Sequence, residues 1–500
     1  MNFYTNVFRC GNNILYRGVY KGRRIKKKVN FSPSLFVLST NNHKTDWKTL
    51  NGEYLEIKTF DNINKASDFV KKYKDVDNIE IYGNQNYQYA FISEKFDDII
   101  DWHKEHIFID SIDIEVGSEN GFPDPTVAEE EITAITVSRY KGHTISFGCG
   151  DYEIKGDEKY VKCSNERDLC LKFLSYWNYN CPDIITGWNI QGFDVPYLVN
   201  RFTRVLGIAK AKELSPWKIV NSRTKYQRLT GKEVIVYSIA GVAVLDYMDL
   251  YKTFAKNGKS QENYTLNNIA NVEIGEEKIS YDEYDNLHQL YKHNFQKFIE
   301  YNIKDTSLIF SLDNKLKLID LAITLAYDSK SNYEDVFTQT VMWDSMIYDY
   351  LIKKNIVVPP KIIKNKSESF EGAYVKEPQT GMHNFVGSFD LNSLYPHLIM
   401  QYNISPEMLV EPEEYTSVMN DILSQHVNVD NLLEKKLDLT GLDRVTLTPN
   451  GQFFRTDKQG FLPEMLNTMY NDRKKYKKLM LQAEQEYEEV IQEIVNRGLA

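Results

Sequence analysis

The sequence predicts a multidomain protein of mixed α/β and α+β class, and three observations carry that prediction. Its 500 residues exceed what one ordinary core can organise and imply roughly three or four domains. Residues 1–105 alternate short apolar strands with one amphipathic helix, the texture of a small α+β domain. From residue 106 strands and helices alternate, as in an α/β layer. With 42% apolar and 26% charged residues, the composition is that of a soluble globular protein.

Composition also excludes several classes. No apolar run reaches the ~18 residues of a membrane span, and the N-terminus lacks the basic-then-apolar order of a secretory signal, so the expected location is the cytoplasm. Cysteines stand at 10, 149, 163, 170 and 181, odd in number and without a CxxC pair, which argues against a disulfide framework or a zinc site. The net charge of −10 counts against an anionic partner, yet Lys21–Lys28 and Arg473–Lys478 are basic runs within it. The 34 tyrosines and 25 phenylalanines could stack on bases or simply fill cores.

In the first region the strands are read at Leu35–Leu38, Tyr54–Ile57 and Ile79–Tyr82, with a helix near Ala66–Tyr73. The strand from Ile107 to Val116 then carries two acids. Side chains alternate across a strand, so Ile112, Ile114 and Val116 face one way and Ser111, Asp113 and Glu115 the other. The Cα atoms of Asp113 and Glu115 would lie roughly 6.5–7 Å apart, within reach of a common cation. Alone, such a pair is more often a solvated edge strand. Further strands are read at Ile132–Val137 and Thr144–Phe147, then a helix capped by Ser164 or Asn165 that buries Leu169, Phe173, Leu174 and Trp177.

After a strand at Ile184–Thr186 and an exit turn at Gly187, a helix begins near Val195, placing Asp194 at its N-terminus. The helix dipole favours the ionised aspartate by ~0.3–1 kcal/mol, leaving it charged for a metal. A long hairpin is expected over residues 222–246, turning at Thr230–Lys232. A helix from Phe295 to Leu316 puts Tyr301 and Asp305 on one face, four residues apart. Helices follow over 317–357, then Pro359 and Pro360, then a charged linker over 362–369. Asn384–Leu391 is expected to be a strand with Asp390 at its tip, and Asn392–Pro396 the turn that leaves it. Residues 407–440 are acidic without clear pattern, and 462–500 helical.

In order, these signals are D-x-E on a strand, N-x-x-x-F-D at a strand-to-helix turn, Y-x-x-x-D on a helix, and D-x-x-S-L-Y-P. That ordered set resembles the family B DNA polymerases, with a texture similar to the replicative polymerases of T-even-like bacteriophages. The resemblance extends along the whole chain, through Gly121–Pro125, Val244–Tyr251, Gly372–Pro378 and Ile404–Glu407. It implies a ribonuclease H-like 3′ to 5′ exonuclease domain at 106–319 and a small N-terminal domain at 1–105, with 320–370 packing back on it. A partial palm at 371–462 and the start of the fingers at 463–500 complete the division. Asp113 and Glu115 match the first proofreading motif, Asn189, Phe193 and Asp194 the second, and Tyr301 and Asp305 the third.

Four carboxylates without His or Cys suit two Mg²⁺ or Mn²⁺ ions, and Tyr301 would hydrogen-bond the attacking water. Asp390 matches the first metal-binding aspartate of the polymerase palm. Leu391, Asn392, Ser393, Leu394 and Tyr395 match the turn that holds the incoming triphosphate, with Tyr395 excluding a 2′-hydroxyl. Arg473 and Lys477 would grip phosphates. The hairpin would help separate a frayed primer end.

Two family elements are missing: the second palm aspartate in D-T-D and the K-x-x-x-N-S-x-Y-G fingers helix. After Asp390 the aspartates at 421, 430, 438, 443, 457 and 472 form no D-x-D pair. The expectation is therefore a family B polymerase, split or truncated, acting in a phage-infected bacterial cytoplasm. Its partners would be primer-template and single-stranded DNA, and dNTPs once a second chain supplies the remaining fingers, palm and thumb. A sliding clamp and other replication proteins are further expected partners. The alternatives are a stand-alone 3′ to 5′ exonuclease and a non-catalytic nucleic-acid-binding scaffold. Intact motifs in all three nuclease segments argue against the scaffold, and Asp390, Tyr395, Arg473 and Lys477 against the pure nuclease.

Overall fold

The computed structural model describes residues 2–40, 43–74, 76, 79–96, 99–117, 119, 121, 123–227, 232–255, 261–360 and 377–498. Outside them lie the expected linker at 362–369, residues 372–376 of the following segment, and positions 230 and 231 of the hairpin turn. The chain divides into two compact units, one holding residues 1–49 and 53–361 and the other 50–52 and 362–500.

In the first unit, three antiparallel strands, Asn2–Cys10, Asn13–Tyr20 and Arg23–Asn30, open the chain. Sequence reading missed them because Arg23–Asn30 carries basic residues on both faces and the strand Asn2–Cys10 is interrupted by a register shift between Tyr4 and Asn6. A second sheet runs in the order Trp47–Lys48, Tyr54–Thr59, Ser34–Leu38, Ile81–Tyr82. Helix Ile63–Tyr73 is capped by Asn62, whose side chain accepts from Lys65 N, and a second helix spans Tyr87–Lys95. Helix Leu318–Asp328 joins the same core, where Tyr327 donates to the Tyr4 carbonyl at 2.7 Å and packs edge-on against its ring.

The rest of this unit is built on a six-stranded sheet: β1 (Ile109–Val116), β2 (Ile132–Arg139), β3 (Thr144–Gly148), β4 (Lys159–Lys162), β5 (Ile184–Gly187) and β6 (Ala243–Asp246). The order is β4-β3-β2-β1-β5-β6, with β2 antiparallel to both neighbours and the other pairs parallel. That is the ribonuclease H-like layout the resemblance implies. Strand β1 lies inside the sheet because its Ile residues are needed on one face. Ile112 and Ile114 bury against Leu169, Phe173 and Trp177 of helix α1 (Glu166–Asn180) and Val195 of α2 (Asp194–Leu206). Asn165 caps α1, its side chain accepting from Asp168 N at 3.0 Å. Gly187 ends β5 where a Cβ would stand 2.6 Å from the Ile112 carbonyl oxygen, so only glycine permits that approach.

The other face of β1 meets α3 (Phe295–Leu316), capped by Asn294, which accepts from Lys297 N at 3.1 Å. The hairpin is Val220–Gln227 with Lys232–Ile239, not 222–246. Ala243–Asp246 leaves it to become the sheet edge β6, because its four residues are buried and pair in parallel with β5. All five cysteines are free thiols. Among the described residues no helix is long and apolar enough to cross a membrane.

The second unit has a small core of Val410, Met419, Ile422, Leu447 and Phe453, gathered by helix Ser417–Ser424 and the hairpin Val445–Leu447 with Phe453–Arg455. Residues 407–440, unpatterned in sequence, thus supply part of that core. The expected strand Asn384–Leu391 is not formed. No ladder partner stands beside it among the described residues, and Phe385, Val386 and Phe389 are exposed. The expected turn Asn392–Pro396 instead starts a helix, Leu394–Tyr402, entered through Ser393 at φ 53°. The unit ends in helix Phe461–Asn496.

Candidate active site

The alternation of β1 aims Asp113 and Glu115 at α3, whose helical spacing returns Tyr301, Asn302 and Asp305 toward the strand. Carboxylate oxygens of Asp113, Glu115 and Asp305 lie within 4.8 Å of one another. Among the described residues this is the one group of three or more acids, His or Cys placed to hold a metal ion. Asp194 enters from the neighbouring element. Its Oδ1 accepts from Ile114 N at 3.1 Å, tying the first turn of α2 to β1 between the two strand acids. The cluster opens into a cavity of about 660 Å³ whose walls include Trp188, Phe193, Met248, Tyr264 and Leu266.

Four acids so close repel one another, and their burial compounds it. Burial, then Asp305, Glu115 and Asp194, hold the Asp113 pKa well above the usual carboxylate range. Burial and Asp305 push Glu115 up to about 8. The helix dipole expected to favour the ionised Asp194 carboxyl is opposed by burial: the residue is 4% exposed, and burial pushes its pKa up to about 7. Backbone N–H groups of Ile114 and of Asp194 itself act in the opposite sense without cancelling that cost. Asp305 is raised by burial and held back by Lys278.

Sequence reading passed over Lys278. Its Nζ donates to Asp305 Oδ2 at 2.5 Å and to the Tyr301 hydroxyl at 3.0 Å, with the ammonium 5.0 Å from the Tyr301 ring centroid. Burial works to lower the Lys278 pKa, but Asp305, Tyr301 and Asp113 outweigh it and raise it. The lysine is therefore a fixed cation among the acids. No spacing signal marks it, since it lies outside the regular helix that carries Tyr301. Asp246 is a second such residue. Buried at the end of β6, it accepts from Asn189 N at 3.0 Å, Gln191 N at 2.9 Å and Met248 N at 3.0 Å, pinning the loop that delivers Phe193 and Asp194. Asn189 itself is exposed at φ 61°, and a Cβ on Gly192 would strike its side chain at 2.5 Å.

The residues fit a hard divalent cation. The donors are all carboxylate oxygens, and Asp305 Oδ1 is buried without a hydrogen-bond partner, an acceptor awaiting a positive centre.

In the second unit, Arg473 Nη1 donates to Ser393 Oγ at 2.8 Å, and His397 packs edge-on against Tyr470 at 4.6 Å between centroids. The two helices thus bring the Ser393 turn and the basic run together. Asp390, Leu391, Leu394, Tyr395 and Lys477 are exposed, and Asp390 belongs to no carboxylate cluster among the described residues.

The family described as DNA polymerase family B, exonuclease domain, matches residues 50–269, and DNA polymerase family B matches 337–497. Lys278, Tyr301 and Asp305 fall between the two matches. The DNA-directed DNA polymerase of Escherichia phage RB69 is 30% identical over 526 residues, covering 100% of this chain and 56% of that protein. That of Enterobacteria phage T4 is 30% identical over 524 residues, covering 99% and 56%. The DNA polymerase delta catalytic subunit of Candida albicans is 26% identical over 324 residues, covering 62% and 29%. The chain spans about half the length of the phage relatives it matches. With two profiles of one family matching in order across most of its length, the chain belongs to DNA polymerase family B.

Proposed function

We propose that residues 106–319 form a metal-dependent 3′ to 5′ exonuclease that removes nucleotides from single-stranded DNA ends. On this reading 1–105 form the N-terminal domain with 320–370 packing back on it, 371–462 part of a polymerase palm, and 463–500 the start of its fingers. The observation that carries the reading is the convergence of Asp113, Glu115 and Asp305 within 4.8 Å beside Tyr301 and Lys278.

The metal ligands would be Asp113, Glu115, Asp194 and Asp305. Mg²⁺ or Mn²⁺ held there would supply a nucleophile at neutral pH and stabilise the leaving oxygen. Other tasks fall to the chain. Tyr301 accepts from Lys278 through its oxygen and lies against Asp305, so its hydroxyl stands where it would orient a water at the scissile phosphate. The Lys278 ammonium offsets charge that builds on the phosphate oxygens. Phe193 and the apolar walls of the cavity exclude bulk water and offer faces to the terminal bases.

Residues 371–500 would contribute to polymerisation as part of a palm and the start of fingers. Nucleotidyl transfer needs carboxylates from two palm strands, and Asp390 is one. Its dNTP contacts would come from Leu391, Ser393, Leu394, Tyr395, Arg473 and Lys477, the residues that the family resemblance singles out.

The test is hydrolysis of a single-stranded oligonucleotide labelled near its 3′ end, in Mg²⁺ or Mn²⁺. Stepwise 3′ shortening is expected, lost in Asp113→Ala. An unaltered rate in the double variant Asp113→Ala, Asp194→Ala would sink the assignment.

A further inference from the structure

We propose that Asn302 is a positioning residue for Asp113, its side-chain amide setting the direction in which that carboxylate faces the other acids and thereby the affinity of the site for a divalent cation. The inference rests on the nuclease reading above. Asn302 follows Tyr301 on α3 and precedes Asp305 by one helical turn, so the face that carries the third motif carries it too.

Asn302 is fully buried, and its Nδ2 donates to Asp113 Oδ2 at 2.5 Å. Among the described residues no other side chain hydrogen-bonds Asp113. Nδ2 lies on Asp113 and Oδ1 is turned away, the orientation that a metal-binding, ionised carboxylate needs because it can only accept. That Oδ1 is buried without a hydrogen-bond partner. A dry amide oxygen destabilises a fold, and an apolar side chain of the same shape would remove that cost. Packing therefore does not account for an asparagine at this position. The carboxylate does, because a donor on one oxygen leaves the other pointed at the neighbouring acids, and partners of this kind orient metal-binding side chains.

Neighbouring polar atoms do not take over the role. Ser111 Oγ and Thr186 Oγ1, on residues paired between β1 and β5, are buried without hydrogen-bond partners, and neither reaches Asp113.

The test compares the full chain with Asn302→Leu, Asn302→Ala and Asp113→Ala. Mn²⁺ binding without DNA is read by electron paramagnetic resonance of the free ion, and thermal melting is recorded in EDTA. Both Asn302 variants are expected to bind Mn²⁺ about 10- to 100-fold more weakly, while the Asn302→Leu melting midpoint without metal is equal to or above that of the parent. The half-saturating Mn²⁺ for oligonucleotide hydrolysis should rise in parallel. Asn302→Ala, which adds no bulk, supplies the reading if the leucine variant misfolds. Parent-like Mn²⁺ affinity in both variants, with binding abolished by Asp113→Ala, overturns the proposal and leaves the nuclease reading standing. Binding that Asp113→Ala does not weaken puts the ion elsewhere, and then both fall.

Discussion

Lys278 Nζ lies 2.5 Å from Asp305 Oδ2 although 26 residues separate them in the chain, and it is the cation that keeps four crowded acids tolerable. A lysine there would compete with a metal for Asp305 yet assist a phosphate on the proposed reading, and the two effects can be told apart.

Lys278→Met is expected to slow single-turnover cleavage by ~10²-fold at saturating Mn²⁺, the loss typical when one charge-stabilising donor is removed. Mn²⁺ affinity should stay the same or rise, since a competing positive charge has gone. A variant that cleaves at the parental rate would take Lys278 out of the reaction.

Asp183 is 2% exposed and gathers the chain around the start of β5. It accepts from Thr5 Oγ1 at 2.9 Å and Phe108 N at 2.9 Å, pairs with Arg17 at 3.1 Å, and is hydrogen-bonded by Arg24. Asp183→Ala removes the carboxylate from two guanidinium charges, one of them buried, leaving them backbone carbonyls as partners, and should cost about 3–5 kcal/mol. Calorimetry should show the melting transition of the first unit falling by several degrees. A shift within experimental error would show that water replaces the carboxylate.

Glu334 gives a pH signature remote from the acid cluster. Its side chain accepts from Val244 N at 2.7 Å, and burial pushes its pKa up from 4.5 to about 7. The folded chain therefore holds this proton more tightly than the unfolded one. The stabilising contribution is complete below pH 4.5 and lost as pH rises through about 7. Glu334→Gln stays neutral, so its stability relative to the parent should improve by roughly 2–3 kcal/mol between pH 4.5 and 8. Denaturation midpoints at the two pH values give the answer, and a constant difference would contradict it.

Primer extension by this chain alone is expected to be undetectable with any dNTP and metal. With further palm and fingers residues supplied, on the same chain or another, extension is expected, and Asp390→Ala should then abolish synthesis while leaving hydrolysis intact. In that form Tyr395→Ala should admit ribonucleotides. Robust extension by the chain alone, after removal of host polymerase, would refute the division of labour proposed here.

Much of the scaffold was legible because it rests on local periodicity. The two-residue repeat in Ile112, Ile114 and Val116 and the four-residue step from Tyr301 to Asp305 are properties of neighbouring residues, and the structure forms β1 and α3 where those patterns stand. The strand expected at Asn384–Leu391 shows the limit of such patterns. Its residues suit a strand, but a strand exists only when another pairs with it, and none does among the described residues.

The sequence by itself determined the elements on which Asp113, Glu115, Tyr301 and Asp305 stand, because motif spacing and backbone geometry act over a few residues. Only the tertiary structure decided that β6 leaves the hairpin for the sheet, that Asp246 pins the loop before Asp194, and that Lys278 and Asn302 reach the acids. It also decided how far the pKa values of those acids are raised above the usual carboxylate range. A helix dipole is worth ~0.3–1 kcal/mol, whereas complete removal from water shifts a carboxyl by several pKa units, and burial is settled only when distant segments close over the site.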